Sequence, residues 1–170
     1  LKKLEVFQGK KIHEYSTTRF LYDFGQNASG IIHFKAAGPK GATMRITPGE
    51  CLTKDSSVIQ RGKPYFFNYT FSGNGTEEWE PKFTYYGFRY AEVEFGYINE
   101  GSDNKINLRE ISMLHTRNSS PEAGSFECSE DLFNRIYTLI KWAMKSNMAS
   151  VLTDCPHREK LGWLEVDHLM

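Results

Sequence analysis

Apolar and polar residues alternate with a period of two through most of the first two thirds of the chain. Ala42, Met44 and Ile46 are separated by Thr43, Arg45 and Thr47. Tyr65, Phe67, Tyr69 and Phe71 share one face, and Ala91, Val93 and Phe95 are separated by Glu92 and Glu94. That period puts successive side chains on opposite faces of half-buried strands. Turn-forming residues punctuate the pattern at Asn27–Gly30, Gly38-Pro39, Pro48-Gly49, Ser72–Gly75 and Asn99–Asn104. Short strands at this spacing, with no crossover helices, predict an antiparallel β-sandwich over residues 1–116.

The period changes after a polar linker over residues 117–128, which carries Ser119, Ser120 and Pro121. Ser129 is the expected N-cap, with Glu130 and Asp131 in the first turn, where carboxylates favour the helix dipole. Leu132, Ile136, Leu139, Ala143 and Asn147 then recur at helical spacing, and Phe133, Ile140 and Met144 widen the stripe. They predict one long α-helix from Glu130 to roughly Ser150. An apolar face of this kind needs a partner. The sandwich, further helices of an α-helical domain, or a second copy of the chain could each supply it.

Composition narrows the classes. At 170 residues, 39% hydrophobic and 25% charged, the chain has the make-up of a globular protein rather than a disordered one. Its 21 basic and 21 acidic residues cancel, so no net field draws it to nucleic acid or anionic lipid. No run is long and apolar enough to span a membrane as a helix. Cys51, Cys128 and Cys155 are too few for a disulfide framework and are expected as buried thiols. The chain starts at Leu1 and reads as a piece of a longer protein, which leaves a periplasmic, extracellular or cytoplasmic setting open. Sequons stand at Asn27, Asn68, Asn74 and Asn118. Aromatics make up 14%. Most should fill the sheet faces, while exposed ones such as Trp79, Tyr85 or Tyr86 could stack on sugar rings.

The densest chemistry follows the helix, in Asp154-Cys155-Pro156-His157-Arg158-Glu159-Lys160-Leu161-Gly162-Trp163. Pro156 and Gly162 oppose a regular helix, so these groups belong on a shaped loop. Glu159 is a candidate proton donor, Asp154 and Arg158 are candidate anchors for hydroxyl groups, and Trp163 offers an apolar plane. Carbohydrate chemistry needs these types, because a glycosidic oxygen leaves only once protonated and sugar hydroxyls both donate and accept. Structural readings stand beside these. Arg158 could pair with Asp154 to fix the loop, Trp163 could be core, and Cys155 with His157 is a weak metal pattern. The segment from Asp154 to Met170 is expected to be poorly held unless a neighbour orders it.

Three segments resemble one family in the same order. Tyr22-Asp23-Phe24-Gly25-Gln26-Asn27 with Gly30, then Phe83-Thr84-Tyr85-Tyr86-Gly87-Phe88-Arg89-Tyr90, and the Asp154–Trp163 loop are similar to bacterial α-L-rhamnosidases, glycoside hydrolase family seventy-eight. Phe126–Ser129 leading into Leu132–Trp142 resembles the start of that family's catalytic six-hairpin α/α barrel. The resemblance implies a mainly β, concanavalin-like sandwich over 1–116, a linker, and the first helix and acid-bearing loop of a truncated barrel over 129–170. It implies an inverting hydrolase acting on terminal α-L-rhamnose, with no cofactor and no metal. Glu159 would be the general acid, and Asp154, Arg158, Trp163 and Asp167 would contact the sugar. Two departures stand out: Glu159 is the one acid between Arg158 and Gly162, where many members have two, and Val166 replaces a frequent aspartate between Glu165 and Asp167. The general base would lie outside this chain, which alone is expected to be inactive. The implied partners are a rhamnose-containing glycan and the remainder of the barrel, with self-association through the helix face as an alternative. A non-catalytic carbohydrate-binding or structural sandwich is the competing reading.

Overall fold

The computed structural model describes residues 1–96 and 105–165; the expected turn at Asn99–Asn104 and the expected sugar contact Asp167 lie outside the described residues. The strands are β1 (Lys2–Gln8), β2 (Lys10–Ser16), β3 (Arg19–Ala37), β4 (Thr43–Gly49), β5 (Cys51–Leu52), β6 (Val58–Ile59), β7 (Phe67–Thr70), β8 (Thr76–Trp79), β9 (Tyr86–Gly96) and β10 (Asn107–Arg117), followed by the helix α1 (Asp131–Asn147). The strands form one antiparallel eight-stranded sheet in the order β1-β10-β3-β9-β4-β7, with β2 and β8 also on β3. β5 and β6 make a separate two-stranded arm.

Strand β3 explains how one sheet encloses a core. Its first part, Arg19–Asp23, pairs with β2 and β9, whereas Gly30–Ala37 pairs with β10 and Phe34–Ala37 also with β8. The register against β9 slips between Asp23 and Ala28, and Gly25 sits in the slip at φ 79°. Lacking a Cβ, glycine takes that left-handed conformation without a clash, and a bulge of this type bends its strand. The sheet curls around Phe24, Ile32, Phe34, Met44, Ile46, Phe88, Val93 and Met113. Of the alternating residues read from the sequence, Ala42, Met44, Ile46, Phe71, Ala91, Val93 and Phe95 are buried, and Tyr65, Phe67 and Tyr69 are half-buried against the core.

Two expected turns lie within strands. Asn27–Gly30 is part of β3, where Ala28 and Gly30 pair with Phe88 and Tyr86. The unbroken buried run Ala28–Ile32 lacks alternation. Part of the reason is α1, whose Ser146 hydroxyl accepts the Ser29 N–H at 3.3 Å from beyond the sheet. Pro48-Gly49 ends β4, paired with Ala91 and Tyr90, and the chain turns one residue later at Glu50.

Helix α1 starts at Asp131 with Glu130 at the N-cap and no side-chain cap bond, so Ser129 is not the cap. Asn134 instead reaches back to Cys128, accepting its N–H at 3.0 Å and donating to its carbonyl at 2.8 Å. The helix stops short of Ser150 because Asn147 is drawn into the next turn: its carbonyl accepts the Thr153 N–H at 3.0 Å and its side chain the Thr153 hydroxyl at 3.1 Å. The C-terminal half lies on the sheet. Trp142 meets Phe7 and His115 at 5.7 Å between centroids in both cases, and His115 is fully buried beneath it. The expected apolar stripe is elsewhere: Leu132, Phe133, Ile136, Leu139 and Ile140 are exposed. The three cysteines are free but not buried, and Cys51 is exposed, because they fall at a strand end and in loops.

Candidate functional site

The loop after α1 closes on itself. Thr153, which is buried, bridges to Gly162, and the Asp154 N–H donates to the Leu161 carbonyl at 3.0 Å. The Asp154 carboxylate then accepts the N–H groups of Cys155 at 2.7 Å and Leu161 at 3.1 Å. One side chain thus ties both limbs of the loop, as short acidic side chains do in turns. Removal from solvent pushes the Asp154 carboxyl up, but the Leu161 N–H, the Cys155 thiol and N–H, and Glu159's carboxyl group outweigh it and hold it below the usual range. Lys160 takes φ 57°, a left-handed conformation that is uncommon for a residue with a long side chain.

The sandwich grips this loop on both sides of its acidic tip. The Gly87 N–H donates to the Pro156 carbonyl at 3.0 Å, and a Cβ on Gly87 would lie 2.6 Å from Pro156 Cγ. His157 Nδ1 faces Glu50 Oε2 at 3.3 Å, while Glu50 Oε1 accepts Asn27 Nδ2 at 3.1 Å. Both imidazole nitrogens of His157 are buried without a formed hydrogen bond. The Lys160 ammonium donates to the Tyr85 carbonyl at 2.6 Å and lies over the Tyr85 and Tyr86 rings at 4.5 and 5.0 Å. Burial pushes its pKa down. Between these anchors Arg158 and Glu159 stand exposed, with Nε and Oε1 3.4 Å apart. In the described part of the segment expected to be loose, the sandwich holds Pro156, His157 and Lys160.

The structure brings Asp154, Arg158 and Glu159 together on this loop. The ion pair at Arg158 is with Glu159, not with Asp154. Trp163 is 46% exposed and lines a cavity of about 410 Å³ with Met148, Val151, Leu152 and Leu164, none of which is an ionisable residue. A second cavity, of about 190 Å³, lies beside His157 and is lined by Asn27, Glu50, Gln60, Arg61 and Tyr86 among others. Trp163 and the three polar residues do not share either cavity.

Sequence reasoning missed Glu50, Gly87 and the partner of Lys160. Gly87 carried a signal, a lone glycine within an aromatic strand, which marks close backbone approach. Glu50 carried none. The sandwich aromatics that could have been sugar platforms are committed: Trp79 packs on Phe34 and Phe67, Tyr86 stacks on Tyr65 at 4.0 Å, and Tyr85 lies under Lys160. Phe83 is the reverse case, fully exposed at φ 59°. The three segments singled out in the sequence converge. Arg89 donates to both Asp23 oxygens at 2.9 Å, which lowers the Asp23 pKa, and the Tyr85–Gly87 stretch carries the loop.

An exposed carboxyl and guanidinium on a braced loop can present a proton and directional hydrogen bonds to a bound molecule. Residues 13–113 match the family described as bacterial alpha-L-rhamnosidase concanavalin-like domain, and residues 121–170 match the bacterial alpha-L-rhamnosidase 6 hairpin glycosidase domain. An alpha-L-rhamnosidase of Formosa agariphila is 33% identical over 99% of the chain and 18% of its own length. The structure of an alpha-L-rhamnosidase from Dictyoglumus thermophilum superposes with a TM-score of 0.85 at 32% identity, over 99% of this chain and 19% of that one. That of the Streptomyces avermitilis enzyme, complexed with L-rhamnose, gives 0.81 at 31%, over 95% and 16%. The chain thus spans less than a fifth of the length of each of these relatives.

Proposed function

The chain belongs to the bacterial α-L-rhamnosidase family, and we propose that it supplies the acid-bearing part of an enzyme that removes terminal α-L-rhamnose with inversion of configuration. The observation that carries this reading is the continuous, ordered likeness of sandwich, helix and loop to α-L-rhamnosidases over 99% of the chain. In the proposed reaction the Glu159 carboxyl gives its proton to the glycosidic oxygen as the bond from that oxygen to the anomeric carbon breaks. A water attacks the opposite face of the sugar and loses a proton to a second carboxylate, carried by a part of the enzyme beyond this chain. Inversion requires the two carboxyl groups about 6.5–9.5 Å apart, leaving room for that water.

Arg158, Trp163 and Asp167 are assigned to the sugar, and Asp154 to the same set through its place in the loop. Asp154 already accepts two backbone N–H groups through Oδ1. Its role toward the sugar therefore falls to Oδ2. We assign residues 1–116 to the sandwich, 117–128 to the linker and 129–170 to the start of the barrel. The exposed stripe of α1 is the surface on which further barrel helices pack. Burying each of its large side chains there contributes about 1.5–3 kcal/mol. A free-standing sugar-binding role for the sandwich is disfavoured because Trp79, Tyr85 and Tyr86 are occupied.

The test is Glu159→Gln in the full-length enzyme, with folding checked by circular dichroism. Turnover of an alkyl α-L-rhamnoside should fall by about 10²–10⁴, the usual contribution of a general acid. Unchanged turnover would contradict the assignment.

A further inference from the structure

We propose that Glu50, a residue of the sandwich, is a positioning residue that acts through His157 to aim the proton-donor loop. The inference rests on the assignment of Glu159 as the acid. Among the described residues the loop meets the sandwich at Gly87, Glu50 and Tyr85, and these contacts differ in what they control. The Gly87–Pro156 bond fixes one backbone atom, and Lys160 holds through a long, flexible side chain. His157 is short, 17% exposed and two residues before Glu159, so its placement sets the orientation of the backbone that carries the acid. Its nitrogens are buried and form no hydrogen bond among the described residues, and Nδ1 faces the Glu50 carboxylate at 3.3 Å. Glu50 is itself held from behind by Asn27.

Removing that carboxylate takes away the acceptor that Nδ1 faces, which favours rotation of the buried imidazole of His157 toward water. The peptide at Arg158 would turn with it and carry the Glu159 carboxyl away from its mark. A displacement of about 1 Å in a reacting group costs on the order of 10²-fold in rate.

A misaimed acid has a signature that general destabilisation lacks. A poor leaving group depends on protonation, whereas dinitrophenolate departs with little help. Full-length wild type, Glu50→Ala, Glu50→Gln, His157→Gln and Glu159→Gln should be assayed on an alkyl and on a dinitrophenyl α-L-rhamnoside. Glu50→Ala should lower kcat on the alkyl substrate by about 30–100-fold with KM within about twofold, and kcat on the dinitrophenyl substrate by less than about threefold. Glu50→Gln, which keeps an acceptor for the imidazole, should recover most of the loss. His157→Gln tests the same contact from the loop side and serves if Glu50→Ala does not fold. Equal losses on both substrates, or none on either, would overturn the positioning role while Glu159→Gln still discriminates. If Glu159→Gln itself fails to discriminate, the acid assignment falls and the positioning role with it.

Discussion

At Asp154 the carboxylate accepts N–H groups from both limbs of its own loop, and that geometry yields a stability statement. Its pKa is lowered in the folded chain. A group of that kind stabilises the folded form above its ordinary value of about 3.9 and loses the contribution as pH falls through the lowered one. Asp154→Ala should therefore raise the exchange rates of the Cys155 and Leu161 amides about tenfold at neutral pH, and wild type should approach the variant as the solution is made strongly acidic. Unchanged amide protection in the variant would show that the backbone closes the loop without it. That Asp154, Arg158 and Glu159 share one loop was legible in the sequence because they lie within a few residues of one another. Glu50 and Tyr85 were not, since they meet His157 and Lys160 across long separations that no local pattern encodes. Trp163 was legible as an apolar surface, but its place in a different cavity depends on how the loop folds back against Met148 and Leu152.

Helix α1 was read correctly in kind and incorrectly in its ends. The period of its apolar residues marks a helix wherever it packs. Its start and finish were decided by Asn134 and Asn147, whose side chains bond backbone and hydroxyl groups beyond the helix. Its docking face was not in the stripe at all. It consists of Trp142 and Ser146 over His115, an indole, a hydroxyl and an imidazole that no hydropathy pattern groups together. Burial pushes the His115 pKa down, against Ser29 and Glu5, which favour its charged form; Arg117 and Lys145 reinforce the decrease. The seam stabilised by neutral His115 should thus be at full strength above about pH 6.5 and weaken as pH falls through the lowered value. Hydrogen exchange across Trp142–Asn147 should show that loss as pH falls below about 6.5, while the core strands stay protected. In His115→Gln the pH dependence should flatten. Persistence of the dependence in that variant would assign it to another group.

In the molecule as a whole, one curled sheet provides both a core and a platform. The alternation in β4 and β9 was enough to place the core. The curl was hidden because β3 carries its bend between Asp23 and Ala28, at Gly25, and continues as strand on both sides through residues that read as a turn. Strand β9, which pairs with β3, also receives the loop, so Asp23, Arg89, Gly87 and Pro156 form one connected support. The outer face of α1 remains apolar, in keeping with a chain that is under a fifth of its relatives' length. On this account the sandwich sets the acid and the rest of the enzyme brings the water and the base. The most direct test is the pH dependence of kcat/KM for the full-length enzyme and its Glu159→Gln variant on an alkyl α-L-rhamnoside, whose leaving group needs the acid's proton. Wild type should give a bell, with the alkaline limb reporting loss of the acid's proton and the acidic limb protonation of the base. The variant should lose the alkaline limb and keep the acidic one. A bell that survives intact in Glu159→Gln would contradict the account, because the proton would then come from another residue.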